Sequence, residues 1–187
     1  KMPKSKLEPQ NKEPLDIIRL KKRRAFDKAS FYGLIGKLLT LFLLAYLIFN
    51  LVFGITLLRN NDMSPRMSAS DLLVYYRLDK KFIANDVVLA HMENAQFVSR
   101  VVATAGDTVD ITENGLVING SVQVNPNIYF KTGIYEDGIK FPVTIGPDEV
   151  FLLSDLREGA KDSRYYGPVK TKEIKGKIFI LIRRTQF

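Results

Sequence analysis

From Leu38 to Leu58 the chain runs through 21 residues without a charge. Coiled as an α-helix, that run is roughly 31 Å long, against a bilayer hydrocarbon core of about 30 Å. Asn50 is its main polar interruption, and no other part of the 187 residues could wrap so apolar a rod. A cleavable signal peptide fits less well. The run is longer than a signal-peptide core, and the small-x-small pattern Ser68-Ala69-Ser70 falls too far beyond it. Residues 31–58 therefore read as a retained transmembrane signal anchor, which leaves room for one modest domain.

The net charge of +8 would suggest nucleic acid until it is mapped. Residues 1–37 carry 11 Lys/Arg against 4 Asp/Glu, with a cluster at Lys21-Lys22-Arg23-Arg24, whereas the remainder carries 17 against 16. A basic N-terminal flank predicts a cytoplasmic N-terminus, residues 1–30, in contact with membrane lipid headgroups. It also makes a nucleic-acid partner unnecessary. Residues 59–187 are then an extracellular domain on the far side of the cell membrane. That domain has no cysteine and only one histidine, which excludes disulfides, thiol catalysis and a His-rich metal site. No cofactor is expected.

Residues 1–15, with Pro3, Pro9 and Pro14 among charged and amide side chains, read as disordered. Residues 16–30 read as a basic helix on the membrane surface, continuous with the span. Beyond Leu58 the pattern changes to short β-branched and aromatic runs bounded by turn residues: 72–76, 87–90, 97–102, 150–153 and 177–182. Asn114-Gly115 and Asn119-Gly120 bracket Leu116-Val117-Ile118 ahead of Val122-Gln123-Val124, which predicts an antiparallel meander. Residues 125–148 read as a long surface excursion between strands. The fold class is mainly β, an antiparallel domain behind one N-terminal transmembrane helix.

Several stretches then appear in a fixed order: Asp62-Met63-Ser64-Pro65, Ser99-Arg100-Val101-Val102 leading to Gly106-Asp107, Ile118-Asn119-Gly120, and Ser154-Asp155-Leu156-Arg157 followed by Asp162-Ser163-Arg164 and Gly167. In that order, after an N-terminal anchor, they resemble type I signal peptidases of the compact Gram-positive kind, membrane serine proteases that use a Ser-Lys dyad. The family's nucleophile motif is S-M-x-P, its base motif K-R-V, and its last box G-D-N-R-x-x-S-x-D-S-R-x-x-G. The resemblance implies a signal-peptidase-like β domain in which Arg100, Gly106, Asp107, Asp155, Arg157, Asp162, Ser163 and Arg164 are structural. Ser64, Pro65, Val87 and Val88 would line its binding groove, with Met63 either core or groove lining.

The departures fall on the chemistry. Asp62 stands where the family has its attacking serine, Ser99 where it has its lysine, and Ala160 where it has the helper serine. A serine hydroxyl has no basic form near neutrality, and a carboxylate is a poor nucleophile toward an amide. No catalytic residue is therefore expected, and the chain reads as a pseudoenzyme. The resemblance to degenerate relatives in Gram-positive pilus assembly implies a chaperone-like binding factor. Its partner would be an extended peptide, a pilin or surface-protein segment, or a sortase. The alternative is an active signal peptidase, a serine endopeptidase with shifted chemistry. In it Ser64 attacks with Lys80, Lys81 or His91 as base, or Asp62 and Asp162 form an acid pair. A buried Asp62 needs a donor, and Arg100 or another nearby basic group is the expected one.

Overall fold

The computed structural model describes residues 14–92, 95–124, 128 and 130–183, and among these it falls into two units, one up to Ile48 and one from Phe49. The expected disorder of residues 1–15 lies almost wholly outside the described residues. The first unit is helical. Helix α1 covers Pro14–Val52. Lys28–Val52, 25 residues of mean hydropathy 2.1, is long and apolar enough to cross a membrane, and none of its most apolar window is buried by protein.

The helix stops six residues short of the expected Leu58. Phe53–Leu57 is instead strand β1, paired antiparallel with β2 (Leu72–Tyr76) from Phe53↔Tyr76 to Leu57↔Leu72. The cause is tertiary. β1 finds a strand partner, and Gly54 is where the Tyr75 ring crosses it so closely that a Cβ would overlap the ring. The apolar run therefore serves two structures in succession.

The second unit is mainly β. Its larger sheet also holds β3 (Val87–Met92), β4 (Ala95–Thr104), β9 (Glu149–Leu153), β10 (Val169–Lys170) and β11 (Ile174–Ile182), in the order β1-β2-β11-β3-β4-β9-β10. A smaller sheet has the order β7-β6-β5-β8, from β5 (Thr108–Thr112), β6 (Gly115–Ile118), β7 (Ser121–Val122) and β8 (Val143–Thr144). Each strand pair is antiparallel. Asn119-Gly120 forms the two-residue turn of the meander, both residues at positive φ, with Ile118 opposite Ser121. The long excursion is not structureless: it contains β8, which pairs with β5, and the buried Ile145.

Three apolar clusters hold this unit together. Val88, Ala90, Val101, Leu152 and Ile174 belong to one. Leu58, Met63, Leu73, Leu89 and Val98 belong to a second. Val109, Leu116, Ile145, Phe151 and Leu153 belong to a third, which seats the smaller sheet. β9 explains its own unbroken apolar run, since Val150 and Leu152 face one cluster while Phe151 and Leu153 face another.

Candidate functional site

Between β1 and β2 the chain makes a compact turn. Ser64 N–H donates to the Asn61 carbonyl at 2.9 Å and Met67 N–H to the Met63 carbonyl at 3.0 Å. That helical step puts Met63 and Met67, four apart, on one side, and both are buried in the second cluster. Met63 is 0% exposed. It is core and offers no wall to a groove. Val88, equally buried in the first cluster, is core as well. Of the expected groove residues, Pro65 is exposed and Ser64 and Val87 are half-buried. Asp62 and Ser64 lie in this turn and not on a strand, so strand alternation does not relate them.

Asp62 is half-buried, and its backbone carbonyl accepts from Leu156 N–H at 2.8 Å, which pins the turn to the last box. Its donor is not Arg100. The Asn60 side-chain amide donates to Asp62 Oδ2 at 2.6 Å. Burial, with the Asp162 charge behind it, pushes the Asp62 carboxyl above its ordinary value, against the Asn60 contact, which favours the ionised form. Arg100 is spent elsewhere. Its Nε and Nη2 grip Asp155 at 2.8 and 2.6 Å, and Nη1 donates to the Asn85 carbonyl.

Ser99 is 1% exposed and stands opposite Val88 in the β3–β4 ladder. Alternation along β4 puts it on the same face as Phe97 and Val101. Phe97 meets the Tyr166 ring at 6.3 Å, and Tyr166 packs on the cluster that contains Val101. The Tyr166 hydroxyl is buried with no partner among the described residues, and desolvation, then the Asp162 and Asp62 charges, raise its pKa strongly. Asp62, Asp162 and Tyr166 thus share one electrostatic neighbourhood.

The last box is an anchor. Asp162 accepts from Arg164 Nε and Nη2, both at 2.8 Å, from Arg164 N–H as the cap of helix α2 (Ser163–Tyr166), and from Ser154 N–H at 3.1 Å. Ser163 Oγ accepts from Leu152 N–H. Arg164 Nη2 also donates to the Arg157 carbonyl, and its guanidinium lies 4.5 Å from the Tyr135 ring centre. Ala160 is buried, and its carbonyl accepts from the Tyr135 hydroxyl at 2.9 Å. An Asp62–Asp162 acid pair is therefore at odds with the geometry, because Asp162 is committed to Arg164. Asp107 ties the base-motif turn to the meander, with Thr104 N–H and the Asn119 amide both donating at 2.8 Å; these two bonds lower its pKa.

Among the described residues, none of the bases considered for Ser64 makes a hydrogen bond to it. Lys80 Nζ donates to the Ile174 carbonyl at 2.6 Å. His91 stands in β3 opposite Gln96, its Nδ1 buried without a partner among the described residues. Lys81 is exposed. The described residues include no cluster of metal-ligating side chains. Asn60, Tyr135 and Tyr166 were not foreseen from the sequence. Asn60, two residues before Asp62, was the legible clue; the tyrosines arrive by tertiary packing alone.

Residues 32–182 match the model of the signal peptidase family, peptidase S26, and the chain belongs to that family of serine peptidases. It is 27% identical over 155 residues to signal peptidase I P of Bacillus subtilis subsp. natto, covering 76% of this chain and 83% of that protein. It is 28% identical over 140 residues to signal peptidase IB of Staphylococcus aureus strain COL, covering 65% and 73%. Among solved structures, a signal peptidase I from Enterococcus faecalis V583 overlays with a TM-score of 0.45 at 21% identity, covering 53% of this chain and 97% of that one.

Proposed function

We propose that this protein is a membrane-anchored, non-catalytic member of the signal peptidase family that holds an extended segment of a partner protein, in pilus or surface-protein assembly. The observation that supports the reading is the identity of three side chains at the motif positions where the family carries its chemistry. By the motif resemblance, Asp62, which accepts from the Asn60 amide, stands where the family has its attacking serine, the buried Ser99 where it has its lysine, and Ala160 where it has its helper serine. Without a base to take a proton from an attacking hydroxyl, oxyanion donors and binding alone would leave about 10³-fold over water, negligible for an amide. The exposed Pro65 and half-buried Ser64 and Val87 are surface on which a partner strand can lie. The partner classes that fit are a pilin, another surface-protein segment, or a sortase.

The test is cleavage of a secretory preprotein by the full chain in detergent. No processing above buffer is the expected result. Processing that survives Asp62→Ala and disappears with Ser64→Ala would overturn the proposal in favour of the shifted serine endopeptidase. Restoring the family chemistry with Asp62→Ser, Ser99→Lys and Ala160→Ser is expected to bring back measurable cleavage if the groove still accepts a signal-peptide-like strand.

A further inference from the structure

A cleft of about 570 Å³ lies between β4, the smaller sheet, Arg66 and the segment around residue 131. Neither Asp62, Ser99 nor Ala160 lines it. Its size is that of a ligand pocket and not of a packing defect. Among the described residues, the charged ones lining it are Arg66, Arg100, Lys131 and Arg157, with no aspartate or glutamate. Asp155 neutralises Arg100 from beneath. Among the described residues, the other three make no salt bridge.

Arg157 is the informative member. It is 4% exposed, Nη1 donates to Thr132 Oγ1 at 3.1 Å, and Nε is buried with no partner. The nearest carboxylates are taken, Asp162 by Arg164 and Asp155 by Arg100. Burial accordingly pulls the Arg157 guanidinium down to about 10. Buried charges are ordinarily paired, so this one lacks an acceptor that carries negative charge. The walls beside it are apolar: Leu116, Val122 and Val124, the last 86% exposed. β7 is also the terminal strand of its sheet, and its outward backbone is that of Val122, since Gln123 N–H donates to the Leu116 carbonyl and the Ser121–Ile118 pair two residues earlier faces β6 in the same way.

We infer that this cleft is a second peptide-docking site, which takes an extended partner segment alternating apolar and acidic side chains. The carboxylates answer Arg157, Lys131 and Arg66, and the apolar side chains cover Val122 and Val124. The site is independent of the groove reading above.

The test uses the full chain in a neutral detergent and a fluorescein-labelled six-residue peptide of alternating Val and Asp, followed by anisotropy, beside the same peptide with Asn or Lys in place of Asp. The acidic peptide is expected to bind about tenfold or more tighter than the Asn peptide. Arg66→Glu with Lys131→Glu, both exposed and safe for folding, is expected to remove that advantage, and Arg157→Lys to reduce it. A photoreactive group on the peptide is expected to mark residues 116–124 or 130–132. Equal binding of the three peptides overturns the inference, as does charge reversal without effect or labelling at residues 62–65. So does a paired charge-reversal phenotype seen only in self-association of the chain, or only in adsorption to anionic phospholipid vesicles.

Discussion

Asp162→Asn is the sharpest perturbation of the scaffold. The Asp162 carboxylate is fully buried and receives four donors, two of them from an Arg164 guanidinium that is 1% exposed. The substitution preserves shape but removes the charge and turns one acceptor oxygen into an amide donor set against the guanidinium, so Arg164 is left in the interior with one amide oxygen and the Arg157 and Gly133 carbonyls and no anion. Breaking a buried pair from one side costs about 3–5 kcal/mol. For the unit from Phe49 to Phe187, the unfolding entropy near the midpoint is about 0.3 kcal/mol/K, so the melting temperature should fall by roughly 10–17 °C. Far-UV circular dichroism in detergent measures this without tryptophan, which the chain lacks. Adding Arg164→Met should recover part of the loss, because the orphaned charge is then gone, and the double-mutant cycle should give a large coupling. A fall of less than about 3 °C for Asp162→Asn would refute the reasoning, since it would mean that solvent reaches the pair in the folded state.

Three further outcomes are expected. Asp62→Asn should stabilise the fold modestly, by no more than about 1 kcal/mol given partial exposure. The Asp62 carboxyl is raised above 3.8, so rising pH ionises the unfolded chain first and wild-type stability is lost through the window just above that value. Urea midpoints of wild type and variant should therefore nearly coincide at the acid end and diverge as pH climbs. Asp107→Asn should show the opposite sign, because hydrogen bonds lower the Asp107 pKa and the stability it contributes is lost as pH falls; the wild type should keep an acid-side slope that the variant lacks. Gly176→Ala should cost about 2–3 kcal/mol or abolish folding, because a Cβ there would overlap the Tyr76 carbonyl in the β2–β11 ladder; thermal melts of the two chains decide it.

The sequence alone determined that an apolar stretch precedes a mainly β domain, because hydrophobic length and two-residue alternation are local signals that neighbours seldom overturn. It placed the strands around Leu72, Val87, Val98 and Phe151 and the Asn119-Gly120 turn, since a positive φ at that turn is a property of the residues themselves. It also put Asp62, Ser99 and Ala160 at the motif positions where the resemblance implies serine, lysine and serine, which is a matter of identity and not of arrangement. Tertiary structure decided the rest. Phe53–Leu57 has the composition of a membrane helix and becomes a strand because β2 is there to pair with it. Val88 looked like groove wall and is core, and Met63, which the sequence left as core or groove lining, is core, because side-chain direction depends on what packs opposite. Arg100 looked like the partner of Asp62 and belongs to Asp155, 55 residues away. Which cation meets which carboxylate is set by a few ångströms of three-dimensional distance, and sequence separation carries almost no information about that.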